Sequence, residues 1–138
     1  PGANLVALAH ARGFEVRPLV GPSSLLLALM ASGANGQSFA FKGYLPSEKD
    51  GRIQALKALE QHSRKHGETQ IFIETPYRND ALLADAVGQL HPATRLCVAC
   101  DLTLPTQTII SKAVADWRKL KEMPNLKKRP AIFVLYAA

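Results

Sequence analysis

Cysteine is scarce in this chain. Only Cys97 and Cys100 occur, and no second pair exists to complete a structural zinc site. On the apolar run Leu96 to Cys100 a separation of three puts the two side chains on opposite faces of a strand, where they share neither a metal nor a disulfide. Core packing is therefore the better reading than redox or zinc chemistry. Also missing are an apolar span of about twenty residues and a basic-then-apolar leader. Their absence speaks against a membrane span or a secretory signal in this stretch and sets the expectation of a cytoplasmic protein. Acidic residues are the sparser sign of charge: eleven Asp and Glu against seventeen Lys and Arg leave a net charge of +6, which favours anionic partners such as RNA or a carboxylate-rich ligand.

Histidine offers little. His62 and His66 lie four apart on a predicted helix, a spacing that can present two imidazoles to a metal, but Ser63 stands where a zinc protease carries Glu and no third ligand is evident. No metal is expected. His10 and His91 are isolated and support no nucleophilic triad, and Trp117 reads as a packing residue.

What the chain does have is alternation. With no internal repeat and no low-complexity tract, helix-period and strand-period apolar patterns follow one another, which is an α/β layout. A length of 138 residues suits one domain, or one domain with a piece of a neighbour. The chain opens at Pro1, not Met, and a helical pattern (Leu5, Leu8, Ala9) begins at once, so something upstream is expected to have been removed. That helix runs to about Arg12 and stops at Gly13. A short strand is predicted over Phe14 to Val20, then an apolar helix to about Ser32, with Ser23 or Ser24 as its cap. Ser32-Gly33-Ala34-Asn35-Gly36 is the best internal linker, so residues 1–33 are read as the end of one α/β unit and 34–138 as a second. In that second unit strands are predicted over Ser38 to Lys42, Thr69 to Ile73, Arg95 to Cys100, Gln107 to Lys112 and Ala131 to Tyr136. Helices are predicted from a capping box at Ser47 and Asp50 to His66, through Leu82 to Leu90, and over Val114 to Leu120.

Two stretches sit where an apolar run meets a polar turn: Gly43-Tyr44-Leu45-Pro46 with Lys49 and Arg52, and Glu74-Thr75-Pro76-Tyr77-Arg78. In α/β proteins such strand ends gather ligands, because helix N-termini and free backbone groups converge there. Together with Val20-Gly21-Pro22-Ser23-Ser24, Phe39 to Lys42, Ile71 to Ile73 and Asp101-Leu102-Thr103, these residues resemble the S-adenosylmethionine-dependent tetrapyrrole methylase superfamily. The likeness runs from Pro1 to about Ala137. It is strongest to the branch that includes the 2′-O-ribose methyltransferase of small-subunit ribosomal RNA.

The resemblance implies two α/β domains with the cofactor between them, the second holding a mixed five-stranded sheet. It implies S-adenosylmethionine as cofactor and a homodimer for the intact protein, with the first domain's glycine-rich loop lying upstream of Pro1. This piece alone is therefore expected to be inactive. Carried over position by position, it implies cofactor contacts at Ser23, Ser24, Glu74, Leu102, Thr103, Pro130 and Ala131. Tyr44, Lys49, Arg52 and Arg78 have the chemistry to receive an anionic acceptor, the aromatic ring for stacking and the cations for phosphate or carboxylate. The alternative is that Lys49 and Arg52 are solvated first-turn residues and that Arg78 pairs with Glu74 or Asp80. A buried Glu74 either finds a donor or shifts its pKa upward, and in the second case it suits a general base for a ribose hydroxyl. The run Arg118, Lys119, Lys121, Lys127, Lys128 and Arg129 reads as a solvated helix end and loop, and as a candidate RNA face.

The sequence departs from the ribosomal-RNA branch in three places. Cys100-Asp101-Leu102-Thr103 stands where Arg-Glu-Leu-Thr is usual, Gln107 replaces a later acidic residue, and Tyr77 takes a His-like position. A tetrapyrrole acceptor, or a non-catalytic basic module for RNA binding or dimerisation, are the competing readings.

Overall fold

The computed structural model describes residues 2–138; Pro1, where the resemblance begins, lies outside the described residues. Helix α1 (Gly2–Ala11) buries none of its residues. Residues 14–20 do not form the predicted strand. A strand is held by a neighbour's backbone groups, none of the described strands pairs with this segment, and Leu19 and Val20 stand fully exposed.

Helix α2 (Ser24–Ser32) ends at Gly33, whose φ of 76° gives the left-handed turn that closes the helix without a Cβ penalty. The expected division after residue 33 does not divide the packing. Ala28 and Leu29 of α2 are buried against Ile71, Cys97, Ala99, Ile132 and Val134, on one face of the sheet.

That sheet contains β1 (Phe39–Tyr44), β2 (Thr69–Ile73), β3 (Arg95–Cys100), β4 (Thr108–Ala113) and β5 (Ala131–Tyr136), in the order β1-β2-β5-β3-β4. The first pair is parallel and the others antiparallel, so this is the mixed five-stranded sheet the resemblance implies. Helix α3 (Lys49–His66) makes the crossover from β1 to β2, and α4 (Asn79–Gln89) and α5 (Val114–Trp117) follow β2 and β4. The other face of the sheet packs Phe72, Leu96, Val98, Phe133 and Leu135 against Leu56, Leu82, Leu83 and Trp117. The alternation of β5 explains its nearly continuous apolar sequence: Phe133 and Leu135 face α3, α4 and α5, while Ile132 and Val134 face α2. Phe72 and Phe133, directly opposite across β2 and β5, stack with centroids 5.6 Å apart. Cys97 and Cys100 do fall on opposite faces, each in a different apolar cluster.

The start of α3 differs in detail from the sequence expectation. Its cap is Glu48, whose carboxylate accepts from the Asp50 N–H at 3.2 Å, not Ser47. Residues 50–51 follow closely on the Pro46 turn, and the longer Glu48 side chain is the one that folds back to the free N–H. Among the described residues no helix is long and apolar enough to cross a membrane.

Candidate functional site

Register decides which residues meet. Because β5 runs antiparallel to both β2 and β3, its first residues lie beside the last residues of those strands: Ile132 pairs with Ile73, and Ala131 with Cys100. The Asp101 N–H then donates to the Pro130 carbonyl at 3.1 Å, extending the ladder one step beyond β3. Strand β1 adds its own end, where Gly43 at φ 67° breaks the register and turns Tyr44 toward the same side.

At this edge lies a cavity of about 410 Å³ lined by Ser24, Tyr44, Glu74, Leu102, Pro130 and Ala131, all anticipated from sequence. Ile73, Ala99, Leu104 and Ile132 complete its apolar wall, and Pro76 and Asp101 also face it. Ser24 is the first residue of α2, so the positive end of that helix dipole borders the cavity. Ser23 occupies the N-cap position with no side-chain cap bond and, like Thr103, adjoins a lining residue without lining the cavity itself.

Glu74 is the more deeply buried of the two carboxylates at the cavity, 5% exposed against 9% for Asp101. Its Oε1 accepts from the Thr75 N–H at 2.7 Å and from the Thr75 hydroxyl at 3.3 Å. Arg78 Nε lies 3.1 Å from the same oxygen, an ion pair whose N–H is not aimed as a hydrogen bond. Of the two alternatives for Glu74, the structure shows the paired one. Its second oxygen, Oε2, is buried without a protein partner. Arg78 also places its guanidinium 4.7 Å from the Tyr77 ring centre and donates from Nη1 to the Tyr77 hydroxyl, while Tyr77 itself is exposed.

The turn after β3 is held in an unusual shape. Asp101 (φ 50°) and Thr103 (φ 70°) both adopt left-handed backbone, costly for residues with a Cβ unless neighbours enforce it. Neighbours do. Gln107 Oε1 accepts from the Thr103 N–H at 2.8 Å, so the residue that departs from the family's acidic one acts as a clasp for this turn. Asp101 Oδ2 accepts from Arg129 Nε at 2.8 Å and from the Thr106 hydroxyl at 2.8 Å. The Arg129 bond foremost, then the Thr106 bond, holds the Asp101 carboxyl below the usual carboxylate range.

Two sequence expectations are corrected here. Arg52 is not brought to the cavity. It is buried, with Nη2 2.6 Å from Asp85 Oδ2 and Nη1 donating to the Ser47 carbonyl at 3.1 Å, so its fork is spent tying α3 to α4. Arg129 does not belong to a free basic face, because its side chain is committed to Asp101 and to three further acceptors. Arg118 is likewise bonded, to the Val87 and Leu90 carbonyls. Lys49 remains an exposed residue at the first position of α3. His62 sits 3.1 Å from Glu68, with the His66 ring 4.5 Å away, and among the described residues no three His, Cys, Asp or Glu side chains gather as a metal site.

The Asp101–Arg129 pair was the part that sequence reasoning missed. Each residue is the immediate neighbour of an anticipated contact, Leu102 or Pro130, and the antiparallel register of β3 with β5 is the signal that would have joined them.

No family model matches the chain. Curated relatives do. It is 33% identical over 138 residues to the ribosomal RNA small subunit methyltransferase I of Escherichia coli O157:H7, covering 98% of this chain and 46% of that protein. To the protein of the same name from Pseudomonas aeruginosa it is 36% identical, covering 99% of this chain and 47% of that protein. The chain thus spans about half the length of the curated relatives it matches. Among solved structures, a cobalamin biosynthetic enzyme, cobalt precorrin-4 methyltransferase, superposes with a TM-score of 0.55 at 15% identity over 97% of this chain and 57% of its own, a likeness of fold. The chain is thus similar along nearly its whole length to about half of each ribosomal RNA small subunit methyltransferase I protein, and it shares its fold with the precorrin methyltransferase.

Proposed function

We propose that these residues form part of an S-adenosylmethionine-dependent methyltransferase whose acceptor is a ribose hydroxyl of RNA. The observation that carries the reading is Glu74. One carboxylate oxygen is fully engaged and the other is buried at the cavity without a donor, a costly arrangement unless a ligand N–H or O–H completes it. S-adenosylmethionine offers ribose hydroxyls, an exocyclic amine and an ammonium group, any of which is a donor of that kind. The apolar wall of Ile73, Ala99, Leu102, Leu104 and Ile132 suits a flat base and a thioether chain. The residues present therefore fit the cofactor, with Ser24, Glu74, Leu102, Pro130 and Ala131 as its holders and Ser23 and Thr103 as their supports.

The cofactor supplies a methyl group already activated on a sulfonium. What remains for the chain is to fix the geometry of attack and keep water out. The apolar wall excludes water. Tyr44 and Tyr77 offer exposed rings on which a base can stack, and Lys49 and Arg78 offer cations for phosphate. Two buried carboxylates line the cavity; Asp101 is committed to Arg129 and Thr106, so Glu74, with Oε2 unpartnered, is the candidate to accept the hydroxyl proton. The net charge of +6 and the ribosomal RNA activity for which the relatives are named both favour RNA over a tetrapyrrole, whose support is likeness of fold alone. A ribosomal RNA substrate goes with a cytoplasmic protein, and the resemblance goes with a homodimer.

The test is calorimetric titration of S-adenosylhomocysteine into the natural gene product that contains these 138 residues, with the chain alone in parallel. Binding by the gene product, followed by methyl transfer that makes one ribose linkage of small-subunit RNA resistant to alkali, is the expected result. No binding by either form would sink the methyltransferase reading and favour a non-catalytic RNA-binding module.

A further inference from the structure

The cavity rim depends on one residue that does not line it. Arg129 Nε donates to Asp101 Oδ2 at 2.8 Å, Nη1 to the Asn125 carbonyl at 2.8 Å, and Nη2 to the Thr106 carbonyl at 2.6 Å and the Thr108 hydroxyl at 3.1 Å. Four of the five guanidinium N–H groups are thus used within a single loop system. The Arg129 backbone serves the opposite rim: its carbonyl accepts from Asn79 Nδ2 at 2.9 Å. Asn79 is fully buried and opens α4, directly after the Glu74 to Arg78 segment. The next residues along the chain, Pro130 and Ala131, are themselves part of the cavity wall.

We propose that Arg129 is the positioning residue of this cavity, setting the left-handed turn at Asp101 to Thr103 on one side and the Glu74 segment on the other. The inference rests on the cofactor reading above. A charge alone is insufficient for the task, because four acceptors are met at once from Nε, Nη1 and Nη2, a fork that an ammonium does not reproduce. The turn it holds is strained, and strained backbone persists only where its surroundings over-determine it. Without Arg129, Asp101 loses its cation and the turn relaxes away from the cavity, taking Leu102 with it.

The test compares Arg129→Lys, Arg129→Gln and Asp101→Asn with wild type in the natural gene product, using two readouts at a temperature well below unfolding. The first needs no ligand: hydrogen exchange at the amides of Asp101, Thr103, Leu104 and Gln107, each of which is bonded within this turn or to Pro130. The second is the affinity for S-adenosylhomocysteine. Arg118→Gln is the control, since Arg118 also donates to backbone carbonyls but at the far end of α4. Expected are exchange in the turn accelerated at least tenfold in both Arg129 variants and affinity weakened at least tenfold, with Lys failing to rescue. Combining Asp101→Asn with Arg129→Gln should add little to either alone. Arg118→Gln should lower the melting temperature and leave both readouts unchanged. Unaltered exchange in Arg129→Gln overturns the positioning role whether or not the cofactor binds. Wild-type failure to bind, with the turn nevertheless loosened, instead removes the cofactor reading, and with it the role assigned here.

Discussion

Arg52 on α3 and Asp85 on α4 form a buried ion pair in which Nε and Nη2 approach the same carboxylate oxygen, at 2.7 Å and 2.6 Å. Both side chains are about nine-tenths buried or more, with 7% and 11% of their surface exposed. Removing one partner of such a pair leaves the other charge without compensation, which costs about 3–5 kcal/mol. Arg52→Ala is therefore expected to destabilise the protein by roughly that amount, measured by urea unfolding with the fluorescence of the single, fully buried Trp117 as the probe. A double replacement by Met and Leu should recover most of the loss, and affinity for S-adenosylhomocysteine should stay at the wild-type value. A selective loss of ligand or RNA affinity in Arg52→Ala, with stability intact, would restore this residue to the site.

Asp101 makes stability depend on acid. Its carboxyl is held below its ordinary value of 3.8, first by the Arg129 hydrogen bond and then by that of Thr106. A folded-state pKa below the unfolded one means that the unfolded chain binds more protons as the pH falls. The contribution is thus complete above about pH 4 and disappears as the pH drops through the folded value. Glu68 acts in the same sense, through its bond from Gln70 and the nearby His62. Unfolding free energies measured between roughly pH 5 and pH 2 should fall less steeply in Asp101→Asn than in wild type. Parallel slopes would show that the pair is not formed in solution.

Much of this architecture could be read from the residues. Thr69–Ile73, Arg95–Cys100 and Ala131–Tyr136 are apolar runs bounded by turn residues, and each is a strand in the sheet with the expected limits. The cavity was legible at Ser24, Tyr44, Glu74, Leu102, Pro130 and Ala131, because ligand-binding residues of α/β proteins cluster at strand ends. Residues 14–20 misled because alternation expresses a face and not a partner: without a neighbouring strand the pattern has nothing to pair with. Arg52 and Arg129 misled for a different reason. A cation in a polar stretch reads as solvated or ligand-binding, and only the folded chain brings it to a carboxylate 33 or 28 residues away. Local periodicity carries no information about such pairs.

Cys97 should behave as an inert thiol. Burial in the cluster under α2 pushes it up to about 11, partly offset by the Ser111 hydrogen bond and by Arg95. Cys100, also buried, is raised mainly by burial. The thiolate is the reactive species, so at pH 8 neither side chain should react with an aromatic disulfide reagent faster than the protein opens, while both should react in guanidinium chloride. The raised Cys97 value also implies stability that is present below about pH 8.5 and lost as the pH rises through 11. Rapid modification of the folded protein by the reagent would contradict the packing described for β3.

Glu74 has one oxygen bonded to Thr75 and beside Arg78, and one free at the cavity, so it can serve as a cofactor acceptor or as a base. The two roles separate in Glu74→Gln. An amide keeps a carbonyl oxygen that can accept from a ligand donor, but it cannot carry away a proton. If Glu74 is the base, the variant should bind S-adenosylhomocysteine within a few-fold of wild type and lose about a hundredfold or more in methyl transfer, a typical share for a positioned general base. If Glu74 chiefly holds the cofactor, affinity falls first, because the amide group can turn only one way and its NH₂ would meet either Thr75 N–H or the ligand donor. The arrangement favours the second outcome: Thr75 donates to the Oε1 position from both its N–H and its hydroxyl, which holds the amide carbonyl there and presents NH₂ to the cavity, donor against ligand donor. Glu74→Ala completes the comparison by removing both functions and the Arg78 partner together. Methylation and affinity both unchanged in Glu74→Gln would exclude Glu74 from either role and return it to a structural partner of Arg78.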